Sequence, residues 1–296
     1  MRRKAYAALT ATLLLWASSF PAIKVGLVGY SSFQLAALRL AVASAALACV
    51  APLLGVRVPR GQDVILILAL GLLGVSSYHV LLNYGENLAT AGSAAFISNI
   101  APLFTTILAR AVGERSRRRS WFGVVVGLAG VGLISASLPG PFVLNPGCLP
   151  LLLAALCWSL FFVLQRPLLI RYSPLEVTCY AVWTGTLLLV VFLPGAAIAA
   201  RTADWPATLA AIYLGLLPMA CGYVCWSYVL SNIPVSRAAV YTYLVPVIST
   251  VMAYAWLGEQ PTTLFVMGAG AVLLGVGIVH RAPDDLLPTQ RPVAQR

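Results

Sequence analysis

Few residues in this chain can do chemistry, and those few sit inside apolar runs. His79 and Asn83 lie one helical turn apart, so they share a face, and Tyr78 stands beside them. An imidazole can relay protons near neutral pH, touch a solute or simply complete a hydrogen bond; for a lone histidine the last two come first. Adding 144 to these numbers takes His79 to Tyr223, Asn83 to Ser227, Ser98 to Thr242 and Asn99 to Tyr243. Polar positions that recur at one offset suit a cavity shared by two related halves. They would also suit helix-to-helix hydrogen bonds, worth about 1 kcal/mol each. Trp16, Trp158, Phe161, Phe162, Tyr241 and Tyr243 supply π faces for a flat apolar solute, with Ser19 close to Trp16. Gln165 can bond an amino or carboxylate group.

Catalysis would need a nucleophile with its base, paired carboxylates or a metal cluster. His79 is the only histidine well inside the apolar runs, since His280 sits at the cytoplasmic edge, and no GxSxG, HExxH or Asp/His cluster occurs. No phosphate-binding loop is present, so this chain carries no ATP-driven pump of its own. The six cysteines show no metal-ligand spacing and read as small buried hydrophobes. No cofactor or metal is implied.

What must position these residues follows from composition. Of 296 residues, 60% are hydrophobic and 9% charged, with mean hydropathy +0.92. Soluble domains carry about 25% charged residues, so this chain belongs in a bilayer. Its apolar runs are continuous rather than alternating, which calls for helices and excludes a barrel. They fall at 5–28, 32–55, 64–85, 91–111, 121–138, 148–169, 174–198, 207–230, 235–257 and 262–281, ten runs each near the roughly 20 residues that span a membrane. The first, behind Met1-Arg2-Arg3-Lys4, resembles a signal peptide but is long enough to be retained as a span. The net charge of +11 is scattered in short clusters between runs, which argues for membrane loops and against nucleic acid. With the N-terminus in the cytoplasm, 16 of the 19 Lys and Arg face that side, leaving Lys24, Arg39 and Arg201 outside. Both termini are therefore expected in the cytoplasm. Lys24, Arg39 and Glu86 read as a gate or an interfacial ion-pair group at the outer end, and Arg166, Glu176 and Arg237 as their counterpart on the inner side.

The chain repeats itself. Residues 94–109 (AAFISNIAPLFTTILA) align with 238–253 (AAVYTYLVPVISTVMA), matching Pro102 to Pro246 and Thr106 to Thr250. After a one-residue slip, Gly113-Glu114 matches Gly258-Glu259, Gly123 matches Gly268, and Gly130 and Gly132 match Gly275 and Gly277. Trp16 and Lys24 are echoed by Trp158 and Arg166. Each half then holds five helices, and an odd number forces the second half into the membrane upside down. The expected fold is an all-α polytopic membrane protein of ten transmembrane helices in two inverted five-helix repeats. Residues 1–138 form the first repeat, 148–281 the second, and 282–296 a disordered cytoplasmic tail. Pro102 and Pro246 read as mid-helix hinges or static kinks. The lining is expected from spans 1, 3, 4, 6, 8 and 9, with the nearly apolar spans 5 and 10 as scaffold or dimer contacts.

Ten helices in two halves, with Pro102 to Glu114 and Pro246 to Glu259 ahead of Gly-rich closing helices, resemble the EamA family of the drug/metabolite transporter superfamily. Residues 16–24 (WASSFPAIK) also resemble that family's first helix, and the likeness covers roughly residues 5–281. Within it the chain looks most like the YddG-type exporters of aromatic and other neutral amino acids. The resemblance implies a multi-pass protein of the bacterial inner membrane, monomer or homodimer, exporting an amino acid or related metabolite. The small multidrug exporters of that superfamily share a membrane-embedded glutamate on their first helix, which this chain lacks. Strict proton antiport through a carboxylate is thereby disfavoured, which leaves facilitated diffusion open beside the alternative of proton-coupled multidrug or metabolite efflux. Channels would show polar stripes or filter sequences. Phosphorylated substrates would want central Lys or Arg, whereas the basic residues read as peripheral, so a neutral or zwitterionic solute fits better.

Overall fold

The computed structural model describes residues 2–88, 97–113, 118–137, 146–257 and 262–281, and among them it is helical with no strand. The helices are α1 (Arg2–Gly29), α2 (Ser32–Val50), α3 (Gly61–Leu88), α4 (Ala101–Ala111), α5 (Arg118–Ser137), α6 (Cys148–Leu169), α7 (Pro174–Ala199), α8 (Trp205–Asn232), α9 (Val235–Tyr241), α10 (Leu244–Leu257) and α11 (Thr263–His280). Eight of them are long and apolar enough to cross a membrane. The fourth and ninth runs are instead broken, at Asn99-Ile100 ahead of α4 and at Thr242-Tyr243 between α9 and α10. Glu114, Glu259, Pro139-Gly140-Pro141 and the tail from 282 lie outside the described residues.

The breaks have a local cause. Proline lacks an N–H, and its ring collides with the carbonyl four residues earlier. For Pro102 that carbonyl belongs to Ser98 and for Pro246 to Thr242, the residues where the helical path gives way. Both prolines therefore sit in the first turn of a new helix, where an N–H is not needed, rather than mid-helix as the sequence suggests. The second run is also shorter than expected: α2 stops at Val50 and a turn follows through Gly55, whose φ of +66° suits glycine.

Two-fold related detail runs through the bundle. Ser31 caps α2 in a capping box with Gln34, and Ser173, its counterpart in the second half, caps α7 in a capping box with Glu176. A π-helical turn at Leu72–Ser77 in α3 is matched in the second half by one at Gly215–Cys221 in α8. Helix pairs match too: α1 lies along α8 as α6 lies along α3, and α2 crosses α8 as α7 crosses α3. With five spans in each half, the relating axis runs within the layer and the halves traverse it in opposite senses.

The fifth and tenth spans, α5 and α11, pack on each other along glycines. A Cβ on Gly130 would lie 2.7 Å from the Gly268 carbonyl oxygen, and one on Gly123 would lie 2.8 Å from that of Gly275. The two crossings exchange under the repeat. Such close backbone approach is how helices associate when lipid offers no hydrophobic drive. Gly270, by contrast, faces open space.

The two ends of the bundle differ. At the end holding Tyr6 and His280, near both described termini, Asp63 binds Arg171 and accepts from the Tyr172 hydroxyl at 2.8 Å. Arg57 meets Glu176 at 2.7 Å, and Tyr180 donates to the Arg57 carbonyl at 2.6 Å. The repeat-mate of Tyr172 is Tyr30, at the far end. Its hydroxyl meets the Thr208 hydroxyl, at 2.8 Å, beside Gly29 packed on Ala203 and Ala207. Glu176 thus pairs with Arg57 rather than with Arg166 or Arg237. Arg57 is 65% exposed, so solvent screens the pair and it adds little to stability by itself.

The glycine seam sets a testable cost. Gly130→Ala should lower the thermal unfolding midpoint in detergent, by the equivalent of about 1–3 kcal/mol for overpacking. Gly270→Ala should leave the midpoint unchanged or raised.

Candidate functional site

Residues related by the repeat meet where its axis passes. The His79 Nε2 lies 3.0 Å from the Tyr223 hydroxyl, the Trp16 and Trp158 rings are 5.1 Å apart, and the Ser44 and Thr186 hydroxyls are 2.6 Å apart. Beside that line is a cavity of about 80 Å³. It is walled by Trp16, Ser19, Phe20 and Ile23 of α1, Arg39 of α2, and Tyr78, His79 and Leu82 of α3. Ser98, Asn99, Ala101, Trp158, Pro218, Tyr223, Thr242 and Val245 complete it. The expected spans 1, 3, 4, 6, 8 and 9 all contribute, and α2 joins them. Both helix breaks open onto it, through Ser98 and Asn99 on one side and Thr242 on the other.

Aromatic packing forms its floor. Tyr78 stacks on Trp158 at 4.3 Å and 18°, and Trp16 contacts Trp226 at 5.1 Å. Phe162 lies 4.5 Å from Trp226, and Phe161 packs on Trp158 at 5.3 Å. The Trp16 indole donates to the Pro218 carbonyl at 3.2 Å, inside the π turn of α8. On the other wall, the π turn of α3 brings Gly74 against the Phe161 ring, leaving no room for a side chain. Phe161, Phe162 and Trp226 are fully buried.

Eight of the fourteen residues singled out from sequence line this cavity: Trp16, Ser19, Tyr78, His79, Ser98, Asn99, Trp158 and Tyr223. Six lie elsewhere. Asn83 donates to the Ser32 carbonyl at 3.0 Å. Gln165, Ser227 and Thr178 form a buried network, with Ser227 donating to Gln165 Oε1 at 2.9 Å and lying 3.1 Å from the Thr178 hydroxyl. Phe162 sits beneath the cavity. Tyr241 bonds the His280 imidazole near the termini, and Tyr243 is buried against Gly127.

Arg39 corrects the sequence reading most. The sequence groups it with Lys24 and Glu86 at the interface, yet it is 3% exposed and lines the cavity. Glu86 interacts electrostatically with both cations but forms an ion pair with neither among the described residues. Counting from the cap would have found this: Arg39 lies seven residues beyond Ser32, about 10 Å along the helix axis. No Asp or Glu is among the lining residues, and no His/Cys/Asp/Glu group able to hold a metal occurs among the described residues.

Comparison with known proteins agrees with this architecture. The chain is 41% identical to a probable terminal-alkyne amino-acid exporter of Streptantibioticus cattleyicolor, over 94% of each chain. It is 38% identical to the uncharacterized transporter YdfC of Bacillus subtilis, over 88% of this chain and 85% of that one. An uncharacterized transporter of Archaeoglobus fulgidus is 32% identical over 94% of this chain and 99% of its own. A solved crystal structure, 22% identical and covering 94% of this chain and 96% of that one, shares the fold with a TM-score of 0.76. The EamA-like transporter family matches residues 3–136 and again 145–281, so this chain is a multi-span membrane transporter that belongs to the EamA-like transporter family of the drug/metabolite transporter superfamily.

Proposed function

We propose that this transporter exports amino acids or closely related small metabolites from the cytoplasm, by alternating access through the central cavity and without proton coupling. The observation that carries the reading is the position of the cavity: on the repeat axis, between two matched helix breaks, over an aromatic floor. A site on such an axis is presented to either side when the halves exchange conformations. The breaks at 99–100 and 242–243, set by Pro102 and Pro246, are where the exchange would bend the fourth and ninth spans.

Size and chemistry narrow the solute. About 80 Å³ is well below the roughly 300–1,000 Å³ usual for drug-sized ligands. Its walls combine π faces with a few hydroxyls, which suits a small apolar side chain on a polar head. The Streptantibioticus relative, named for exporting an amino acid, supports the same class. The distribution of Lys and Arg supports a cytoplasmic position for both termini. With that orientation the latch of Asp63, Arg171, Tyr172, Arg57 and Glu176 would close the cytoplasmic end and leave the cavity to face outward.

Liposomes holding the purified protein test this. Labelled phenylalanine, threonine and a terminal-alkyne amino acid should equilibrate across the membrane at rates indifferent to a pH gradient, while tetraphenylphosphonium should move no faster than in protein-free liposomes. Flux of the cation alone, or flux that requires a proton gradient, would overturn the reading. The same assay separates the roles of His79. In His79→Gln, which keeps a partner for Tyr223, flux should fall a few-fold at most for one lost hydrogen bond and should stay independent of pH gradient. A gradient-driven component that disappears in this variant would instead identify a proton carrier.

A further inference from the structure

Arg39 is a cation set where the scaffold does not require one. Its guanidinium stays charged at any physiological pH, and a charge inside a bilayer protein is costly unless something meets it. Yet Nε and Nη1 are buried with no hydrogen-bond partner, and Arg39 forms no ion pair among the described residues. The repeat that pairs Ser44 with Thr186 pairs Arg39 with Ala181 in α7, which is fully buried in the hydrophobic core. The fold therefore closes the equivalent position with a methyl group.

The same cavity wall offers further unmet polarity. Ser98 Oγ and His79 Nδ1 are buried without partners. No carboxylate lines the cavity to neutralise Arg39 from within. Guanidinium forks match carboxylates in two parallel hydrogen bonds, stronger than neutral ones.

We propose that Arg39 receives the carboxylate of the transported solute, so that the cavity selects amino acids with a free carboxylate over their amides and decarboxylated amines. The proposal rests on the export reading, which it deepens by assigning the polar head of the solute to one residue. The side chain of the solute then lies against Trp16, Trp158 and Tyr78, and the α-ammonium faces those rings, where a cation is attracted without a counter-carboxylate.

Counterflow in proteoliposomes tests it, with labelled phenylalanine and labelled threonine competed by each unlabelled acid, its amide, its decarboxylated amine and glycerol phosphate. In the wild-type protein the acid should compete about tenfold or more better than its amide. Arg39→Gln should weaken the acid about tenfold while changing the amide less than about threefold, so that the two converge, and Arg39→Lys, which keeps the charge but loses the fork, should fall between the wild type and Arg39→Gln. Equal competition by acid and amide in the wild type would overturn the proposal, and that arm needs no variant to fold. So would an equal loss for both in Arg39→Gln, which marks a structural residue, or stronger competition by glycerol phosphate, which marks a phosphate site. Absence of any amino-acid counterflow in the wild type would instead sink the export reading itself.

Discussion

Two residues related by a two-fold axis touch only where the axis passes between them. In this bundle Trp16 meets Trp158, Ser44 meets Thr186 and His79 meets Tyr223, three contacts strung along one line. The α5–α11 seam also treats both halves alike, but the cavity, the helix breaks and the π turns gather around that line. The π turns supply the room. A wider turn shifts the helix surface sideways, letting the Phe161 ring press onto Gly74 and the Trp16 indole reach the Pro218 carbonyl. The proline breaks supply polarity: they release backbone and side-chain groups at Ser98, Asn99 and Thr242 from the helical ladder, tolerable at this depth only beside a cavity.

Equivalence between halves was legible in the sequence, and so were its consequences on the axis. The offset of 144 matched His79 with Tyr223 and the repeat matched Trp16 with Trp158, and in the structure each matched pair is in contact. Facing direction was not legible in the same way. A helix apolar around its whole circumference carries no amphipathic signature, so nothing in α6 or α8 said that Gln165 and Ser227 turn toward Thr178 instead of the cavity. Asn83 shares a face with His79, but one turn further along it reaches the α2 backbone at Ser32. Proline was read for its effect and not for its position: the ring ends one helix and begins another.

Charge shows where symmetry stops. The frame is matched in its caps, breaks and glycine crossings, because packing two similar halves across an axis demands matched backbone approach. Charged groups are under no such demand. Arg39 stands against Ala181, and Tyr172 with Asp63 and Arg171 stands against Tyr30 with Thr208. A bundle of two identical halves would be indifferent to which end opens. Here the end near the termini is tied by ionised groups, and the far end by a hydroxyl pair and small-residue packing. Unlike ties give the two ends different opening free energies, and a solute carrying charge into the cavity changes that balance only through groups that are themselves unmatched. Arg39 is the unmatched group inside the cavity wall. In the proposed export cycle, backbone symmetry would provide the exchange of conformations, while the departures from symmetry in side-chain charge would give each end and each solute a distinct energy.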